Sequence, residues 1–238
     1  MKYAVIIPAR LNSKRLNRKP LLKIKGIPLI VRTYNQCKKV IQEKNIYVAT
    51  DSKEIEKICK KNKIKTILTP KTCLTGTDRV YYASKKVKAE HYVNLQGDEP
   101  LFNPRDIIKI INESKKYPQE IITGYCKIKC EEEYRSFNIP KVVFSKDKYL
   151  MYASRAAIPS NKKNKFIYGY RQVCIYVFPK KKLSLFFSNH KTKIEKTEDI
   201  EYLRLVEKGI KIKCTELSNK SISVDTIKDL KLVKKVVK

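Results

Sequence analysis

The sequence predicts an α/β fold, a mostly parallel sheet with helices on both faces, joined in its second half by a smaller β-rich subregion. Three observations carry this reading. Short apolar, β-branched runs at 5–7, 46–49, 64–68 and 91–95 alternate with stretches of about a dozen residues at helical spacing, the βαβα rhythm of a parallel sheet. The first of these runs is apolar without strict alternation, as in a strand covered on both faces. From residue 120 to 178 the rhythm changes: the runs at 121–126, 141–145 and 171–178 are separated by turns, which predicts antiparallel or mixed strands in or beside the sheet. The expectation is one domain over 1–238, with a nucleotide-type part at 1–119, the β-rich part at 120–180 and a return to the main sheet at 181–238.

The first strand, Tyr3-Ala-Val-Ile-Ile-Pro-Ala, is expected to stop at Pro8, which has no N–H to donate. It runs straight into five cations within ten positions, Arg10, Lys14, Arg15, Arg18 and Lys19. In parallel α/β sheets ligands bind beyond the carboxyl ends of strands, so these cations stand where a polyphosphate would be held. A solvated basic loop is the plain alternative in so lysine-rich a chain. Residue type argues against it, because Arg10 and Arg15 carry planar forks that grip phosphate oxygens in pairs.

Gly26 serves as the turn before a helix at 28–37. A strand at 45–51 ends in a polar tip, and Ser52 with Glu54 and Glu56 marks the next helix start, with acids on the positive end of its dipole. Thr75-Gly-Thr-Asp-Arg heads a helix expected to run through Lys88; a glycine flanked by hydroxyls suits either a helix cap or a close approach to a flat ligand. The strand at 91–95 ends in Gln96-Gly-Asp-Glu-Pro. An acidic pair, Asp98 and Glu99, at that tip facing a cationic loop is how a divalent cation and a polyphosphate are brought together. A helix at 103–117 follows, with Pro104 in its first turn. Residues 193–209 read as one amphipathic helix with Ile194, Ile200, Leu203 and Val206 inward and Gly209 as C-cap. Residues 210–215 read as an alternating strand, and a last helix starts with Asp225 or Thr226 at its cap.

With 54 Lys and Arg against 23 Asp and Glu, the formal charge is +31. The excess is spread along the chain instead of forming one basic stripe with interleaved aromatics, so it predicts steering of anionic substrates and no specific nucleic-acid recognition. A polyanion-binding protein without catalysis is the rival reading. Seven cysteines, an odd number in strand-like and helix-like contexts, read as reduced thiols used as small core residues. Cys126 and Cys130 lack a second pair with metal-ligand spacing. No run is long enough to span a bilayer and Met1 heads no charged-apolar-small leader, so a cytoplasmic location without membrane insertion is expected.

In order along the chain, Ile7-Pro-Ala-Arg-Leu-Asn-Ser-Lys-Arg-Leu-Asn-Arg-Lys-Pro-Leu, Val48-Ala-Thr-Asp, Thr75-Gly-Thr-Asp-Arg, Asn94-Leu-Gln-Gly-Asp-Glu-Pro, Tyr152-Ala-Ser-Arg-Ala-Ala-Ile-Pro, Ile175-Tyr, Glu201-Tyr-Leu-Arg and Val224-Asp-Thr together resemble the sugar-acid cytidylyltransferases, most closely those for 3-deoxy-manno-octulosonate (Kdo). The resemblance covers essentially the whole length. It implies a Rossmann-like fold of the nucleotide-diphospho-sugar transferase type, a homodimer joined through the β-rich subregion, and a reaction in which the anomeric hydroxyl of a 3-deoxy-2-keto sugar acid attacks the α-phosphate of CTP. It implies that Arg10, Arg15 and Lys19 hold the triphosphate, that Ala9, Arg10, Thr75, Gly76 and Gln96 read cytosine and ribose, that Asp98 and Asp225 ligate Mg²⁺, and that Arg155, Tyr176 and Glu201 face the sugar acid.

Two motifs depart from the family pattern. Gln172-Val-Cys-Ile-Tyr stands where the family usually has His-Leu/Ile-Gly-Ile-Tyr, and Glu201-Tyr-Leu-Arg where it commonly has Glu-Gln-Leu-Arg. Both lie on the sugar side, whereas the nucleotide and metal motifs are almost intact. The resemblance therefore implies that CTP is the donor and that Gln172 and Tyr202 bear on the choice of acceptor, whether Kdo, a close analogue or a nonulosonic acid.

Overall fold

In chain order the elements are β1 (Tyr3–Ala9), a 3₁₀ turn (Lys19–Leu21), β2 (Lys23–Ile24), β3 (Ile27–Pro28), α1 (Leu29–Cys37), β4 (Ile46–Thr50), α2 (Lys53–Lys61), β5 (Thr66–Leu68), α3 (Gly76–Ser84), β6 (His91–Leu95), α4 (Pro104–Lys116), β7 (Ile121–Lys127), α5 (Glu131–Arg135), β8 (Lys141–Phe144), β9 (Leu150–Ser154), β10 (Tyr170–Pro179), α6 (Lys180–Phe186), α7 (Lys193–Glu198), α8 (Leu203–Glu207), β11 (Ile212–Glu216) and α9 (Ile227–Val236). They come from a computed structural model that describes residues 2–12, 16–188, 190–219 and 221–237.

The main sheet runs β11-β7-β10-β6-β1-β4-β5, with β8 paired to β10 and β9 to β8. Pairing is parallel for β6-β1-β4-β5 and for β11-β7, while β10 lies antiparallel between β6 and β7. The mixed strands expected after residue 120 are thus built into the sheet as well as beside it. Because β10 runs the other way, its first half lies at the same sheet edge as the carboxyl ends of β1 and β6, which is where ligands bind in such sheets.

Alternation along β1 divides the core. Val5, Ile7 and Ala9 join one apolar cluster and Ala4 and Ile6 the other, so the strand is buried on both faces as its composition predicts. Val5, Ile6 and Ile7 are fully buried, each contributing roughly 1.5–3 kcal/mol of transfer free energy. Pro8 does not end the strand. Pairing with β6 stops at Ile6, while pairing with β4 continues through Pro8 to Ala9, so the missing N–H interrupts only one of the two ladders. A third, smaller cluster of Leu16, Ile24, Leu29, Val224 and Val233 packs α9 against the hairpin after β1 and brings the end of the chain back to its beginning.

Two local expectations are corrected and two are given detail. Gly26, at φ 78°, and Lys25, at φ 45°, make the tight hairpin between β2 and β3 before the helix starts. Helix α3 ends at Ser84 rather than Lys88. The single helix expected over 193–209 is two, α7 and α8, broken where Asp199 takes a left-handed conformation at φ 49°. The cause is tertiary: the Glu198 carboxylate accepts from Ser154, Tyr152 and the Arg155 N–H, and the Glu198 and Asp199 carbonyls accept from the Arg155 guanidinium. On β11, Lys213 is buried; its ammonium lies over Tyr117 and Tyr149 and donates to the Asp147 carbonyl.

Candidate active site

Three groups of side chains meet at the carboxyl ends of β1 and β6. The first is ionic. The 3₁₀ turn with Pro20 at its start presents Lys19, whose ammonium donates to Asp98 at 2.6 Å and to Asp225 at 3.0 Å. Burial pushes the Lys19 pKa down, but the two carboxylates outweigh it and hold it above the usual lysine value. Asp98 belongs to the tip of β6, and Asp225 arrives from the far end of the chain, held by the Val224 N–H donating to the Asp98 carbonyl at 2.9 Å. Asp225 is not the cap of α9; Thr226 is, in a reciprocal box with Asp229. The close turn at the β6 tip needs glycine, since a Cβ on Gly97 would fall 2.8 Å from the Pro8 carbonyl oxygen.

The second group is polar and centred on Glu201. Its carboxylate accepts from Gln96 Nε2 at 3.2 Å and from the Thr77 N–H at 3.1 Å. Burial pushes this carboxyl up, offset in part by the Thr77 N–H and the Thr77 and Thr75 hydroxyls. Thr75 is the N-cap of α3, bonded reciprocally with Asp78, so the cap reading of this motif is correct and coexists with a place in the site. Gly76 lies flat against Gln96: a Cβ there would be 3.2 Å from Gln96 Oε1 and 3.3 Å from Pro8 Cγ. Beneath this group Arg204, fully buried, spans Asp78 and Glu195 at 2.7 Å each, tying α8 to the first turn of α3.

The third group holds both departures from the family pattern. Gln172 Nε2 donates to the Tyr176 hydroxyl on the same face of β10, and Tyr202 packs edge-on to Tyr176 with centroids 5.9 Å apart. Burial pushes both phenols well above the usual tyrosine value. The Tyr202 hydroxyl is buried with no hydrogen-bond partner among the described residues. Between the groups, at the irregularity of β10 between Val173 and Tyr176, sits Cys174, its thiol raised by burial and by the charges of Glu99, Asp98, Glu201 and Asp225. Asp98, Glu99, Glu201 and Asp225 make this corner acidic inside a strongly basic chain.

The other expected residues lie around these groups. Ala9 closes β1, buried, with Arg10 exposed directly after it. Arg15 falls outside the described residues. Arg155 is held by chain carbonyls, those of Phe137 at 2.8 Å, Glu198 at 2.7 Å and Asp199 at 3.1 Å, so it organises the segment preceding Glu201. Lys141, buried below it, donates to the carbonyls of Ser136, Ile139 and Arg155. Among the described residues no three His, Cys, Asp or Glu side chains form a metal cage; Asp98 and Asp225, two hard oxygen donors already sharing a cation, are the pair that suits Mg²⁺, which takes few protein ligands and completes its shell with water and phosphate.

Sequence reasoning passed over Ser221, Asp78 and Arg204, and it set Glu99 beside Asp98 facing the cationic loop, which the structure corrects. Lys19 bonds Asp98 and Asp225, while Glu99 is buried and accepts from the Ser221 hydroxyl. Asp78 and Arg204 stand inside Thr75-Gly-Thr-Asp and Glu201-Tyr-Leu-Arg, and only their mutual contact shows what they do.

A family model described as "Cytidylyltransferase" matches residues 4–212. The 3-deoxy-manno-octulosonate cytidylyltransferase of Chloroherpeton thalassium is 37% identical over 100% of this chain and 98% of its own. The protein of the same name from Rickettsia akari is 42% identical over 96% of this chain and 92% of its own. A solved structure of CMP:2-keto-3-deoxy-manno-octonic acid synthetase complexed with CTP superposes with a TM-score of 0.90 at 32% identity, covering 99% of this chain and 98% of that one. On residues 4–212 and on full-length relatives, the chain belongs to the cytidylyltransferase family.

Proposed function

We propose that this protein transfers CMP from CTP to a 3-deoxy-2-keto sugar acid, Kdo or a close analogue, releasing pyrophosphate. The observation that carries the reading is the meeting of Lys19, Asp98 and Asp225, side chains from the beginning, middle and end of the sequence, at the carboxyl end of β6. Relatives named for Kdo and a relative solved with CTP support the choice of substrates.

In this reading the anomeric oxygen of the sugar acid forms a bond to the α-phosphorus as the bond from that phosphorus to the β-phosphate oxygen breaks, and the hydroxyl proton leaves to solvent. Such a displacement needs alignment and charge neutralisation more than covalent help. Arg10, Arg15 and Lys19 grip the triphosphate; Ala9, Thr75, Gly76 and Gln96 frame cytosine and ribose. Glu201 orients the Gln96 amide from behind and Tyr176, set by Gln172 and packed on Tyr202, faces the acceptor. Arg155 shapes the same wall. Asp98 and Asp225 would hold Mg²⁺, which when bound supplies positive charge to the phosphates and lowers the pKa of a coordinated hydroxyl.

The same reading takes the chain as one domain and places it in the cytoplasm, with products used for surface polysaccharide. No helix among the described residues is long and apolar enough to cross a membrane. It also takes the protein as a homodimer: Phe137, Met151, Ile167 and Tyr168, all from the β-rich subregion, are more than half exposed, an apolar surface suited to a second copy.

The test is to supply CTP with Kdo, its 8-amino analogue and nonulosonic acids in turn and follow pyrophosphate release, then repeat with Gln172→Ala, which removes the bond to Tyr176, and Tyr202→Leu, which removes the ring packed on it. The expected result is turnover with CTP and an octulosonate. Both variants should raise the KM for the sugar acid several-fold, the scale of one lost hydrogen bond or contact, and leave that for CTP within about twofold. Turnover confined to nonulosonic acids would assign the other acceptor class.

A further inference from the structure

Between β11 and α9 the described residues have no helix or strand, yet they deliver Asp225 to a fixed place opposite Asp98. Side chains of the surrounding scaffold hold this segment at successive points. Asp106 on α4 accepts from the Ser218 N–H at 3.1 Å and its hydroxyl at 2.6 Å. Arg171 on β10 and the Cys126 thiol on β7 both donate to Asn219 Oδ1. Ser221 donates to Glu99, and the Val224 N–H donates to the Asp98 carbonyl.

Of these grips, the last two come from consecutive residues of the strand tip that carries Asp98 itself. Glu99 is 5% exposed and has no ion-pair partner among the described residues; the nearby Arg171 guanidinium is turned to Asn219. Burying a carboxyl without an ionic partner is costly, and the Ser221 hydroxyl supplies a bond that it accepts. A carboxyl buried at such cost one residue from a functional acid is explained by what it holds. With Ser221 released, the Val224 N–H would be the remaining hydrogen bond from the described residues 221–224 to the strand tip, a pivot instead of a clamp.

We infer that Glu99 is a positioning residue for this site: its carboxylate grips Ser221 and so fixes the segment that sets Asp225 against Asp98. The inference rests on the reading that Asp98 and Asp225 work as a pair.

The experiment compares Glu99→Ala, Glu99→Gln, Ser221→Ala and the double alanine variant by two measurements. One is amide hydrogen exchange over residues 221–226 in protein free of metal and nucleotide; the other is the Mg²⁺ concentration giving half-maximal rate at saturating substrates. Both single alanine variants are expected to speed exchange in that segment alone and to raise half-saturating Mg²⁺ about tenfold, the scale of one lost hydrogen bond to a charged group, with the double variant no worse than either. Glu99→Gln, whose amide oxygen still accepts from Ser221, is expected to stay near the parent in both. A role limited to fold stability would lower the melting temperature and leave half-saturating Mg²⁺ in place, which overturns the inference. Glu99→Gln as damaging as Glu99→Ala also overturns it, since that would mark the charge itself as the working feature. Asp225→Asn separates the premise: if it keeps the parent's Mg²⁺ dependence, the pairing of Asp98 with Asp225 fails, and exchange over 221–226 still decides whether Glu99 clamps the segment.

Discussion

Lys19 donates to Asp98 at 2.6 Å across 79 positions of sequence, and the same ammonium reaches Asp225 at 3.0 Å. One cation therefore balances two carboxylates that would otherwise repel each other in a partly buried corner. Lys19→Met is expected to destabilise the metal-free protein by about 1–3 kcal/mol, because it leaves two close carboxylates without their shared partner. Mg²⁺ without nucleotide should recover part of that loss in the variant by binding the native state, and raise the parent's melting temperature less. Thermal melts with and without Mg²⁺ check this; equal Mg²⁺ shifts in both proteins would contradict it.

Arg204 is buried with both of its carboxylate partners, Asp78 and Glu195, and also donates to the Phe186 carbonyl. Arg204→Met is expected to cost about 3–5 kcal/mol, since it strands two buried acids. Arg135, exposed and paired with Glu131 one helical turn away, is the control: Arg135→Ala should stay within about 1 kcal/mol of the parent. Chemical denaturation of the two variants measures both.

The thiols report the same core. Burial pushes Cys37, Cys59 and Cys214 up to about 12, while Cys130 is exposed. Thiolate is the reacting form, so a raised pKa means less of it at any pH below the shifted value. Alkylation of the folded protein should label the exposed Cys130 first, with Cys37, Cys59 and Cys214 unlabelled until the protein unfolds. Mass spectrometry of labelled peptides decides it, and early labelling of Cys37 or Cys59 would contradict the packing described.

Much of the fold was legible because it is local. Val5, Ile6 and Ile7 announce a doubly buried strand, Ser52 a helix start, and Asn103-Pro104 another. The break at Asp199 was not, because it depends on Glu198 meeting Ser154 and Arg155 over forty residues away. The same limit applies to the site. Lys19 and Asp98 follow strands that hydrophobic runs reveal, so their place at one end of the sheet could be read. From its own neighbours Asp225 reads as a helix cap, and only the resemblance pairs it with Asp98; the physical cause is the third apolar cluster, which packs α9 against the hairpin after β1. Glu99 and Ser221 are 122 positions apart, and nothing in either neighbourhood names the other. Gln172 and Tyr202 were visible as departures, but only the structure shows that both act on one ring, Tyr176.

The central claim is that Asp98 and Asp225 form one metal-dependent centre for transfer from CTP. Its most direct measurement is Mg²⁺-dependent pyrophosphate release from CTP and Kdo by the parent, Asp98→Asn, Asp225→Asn and the double variant, alongside their melting temperatures. The account expects each single variant to lose activity by at least about a hundredfold while remaining folded, and the double variant to lose little more, as residues acting as a unit do. Either single variant retaining the parent's rate and Mg²⁺ dependence would contradict it.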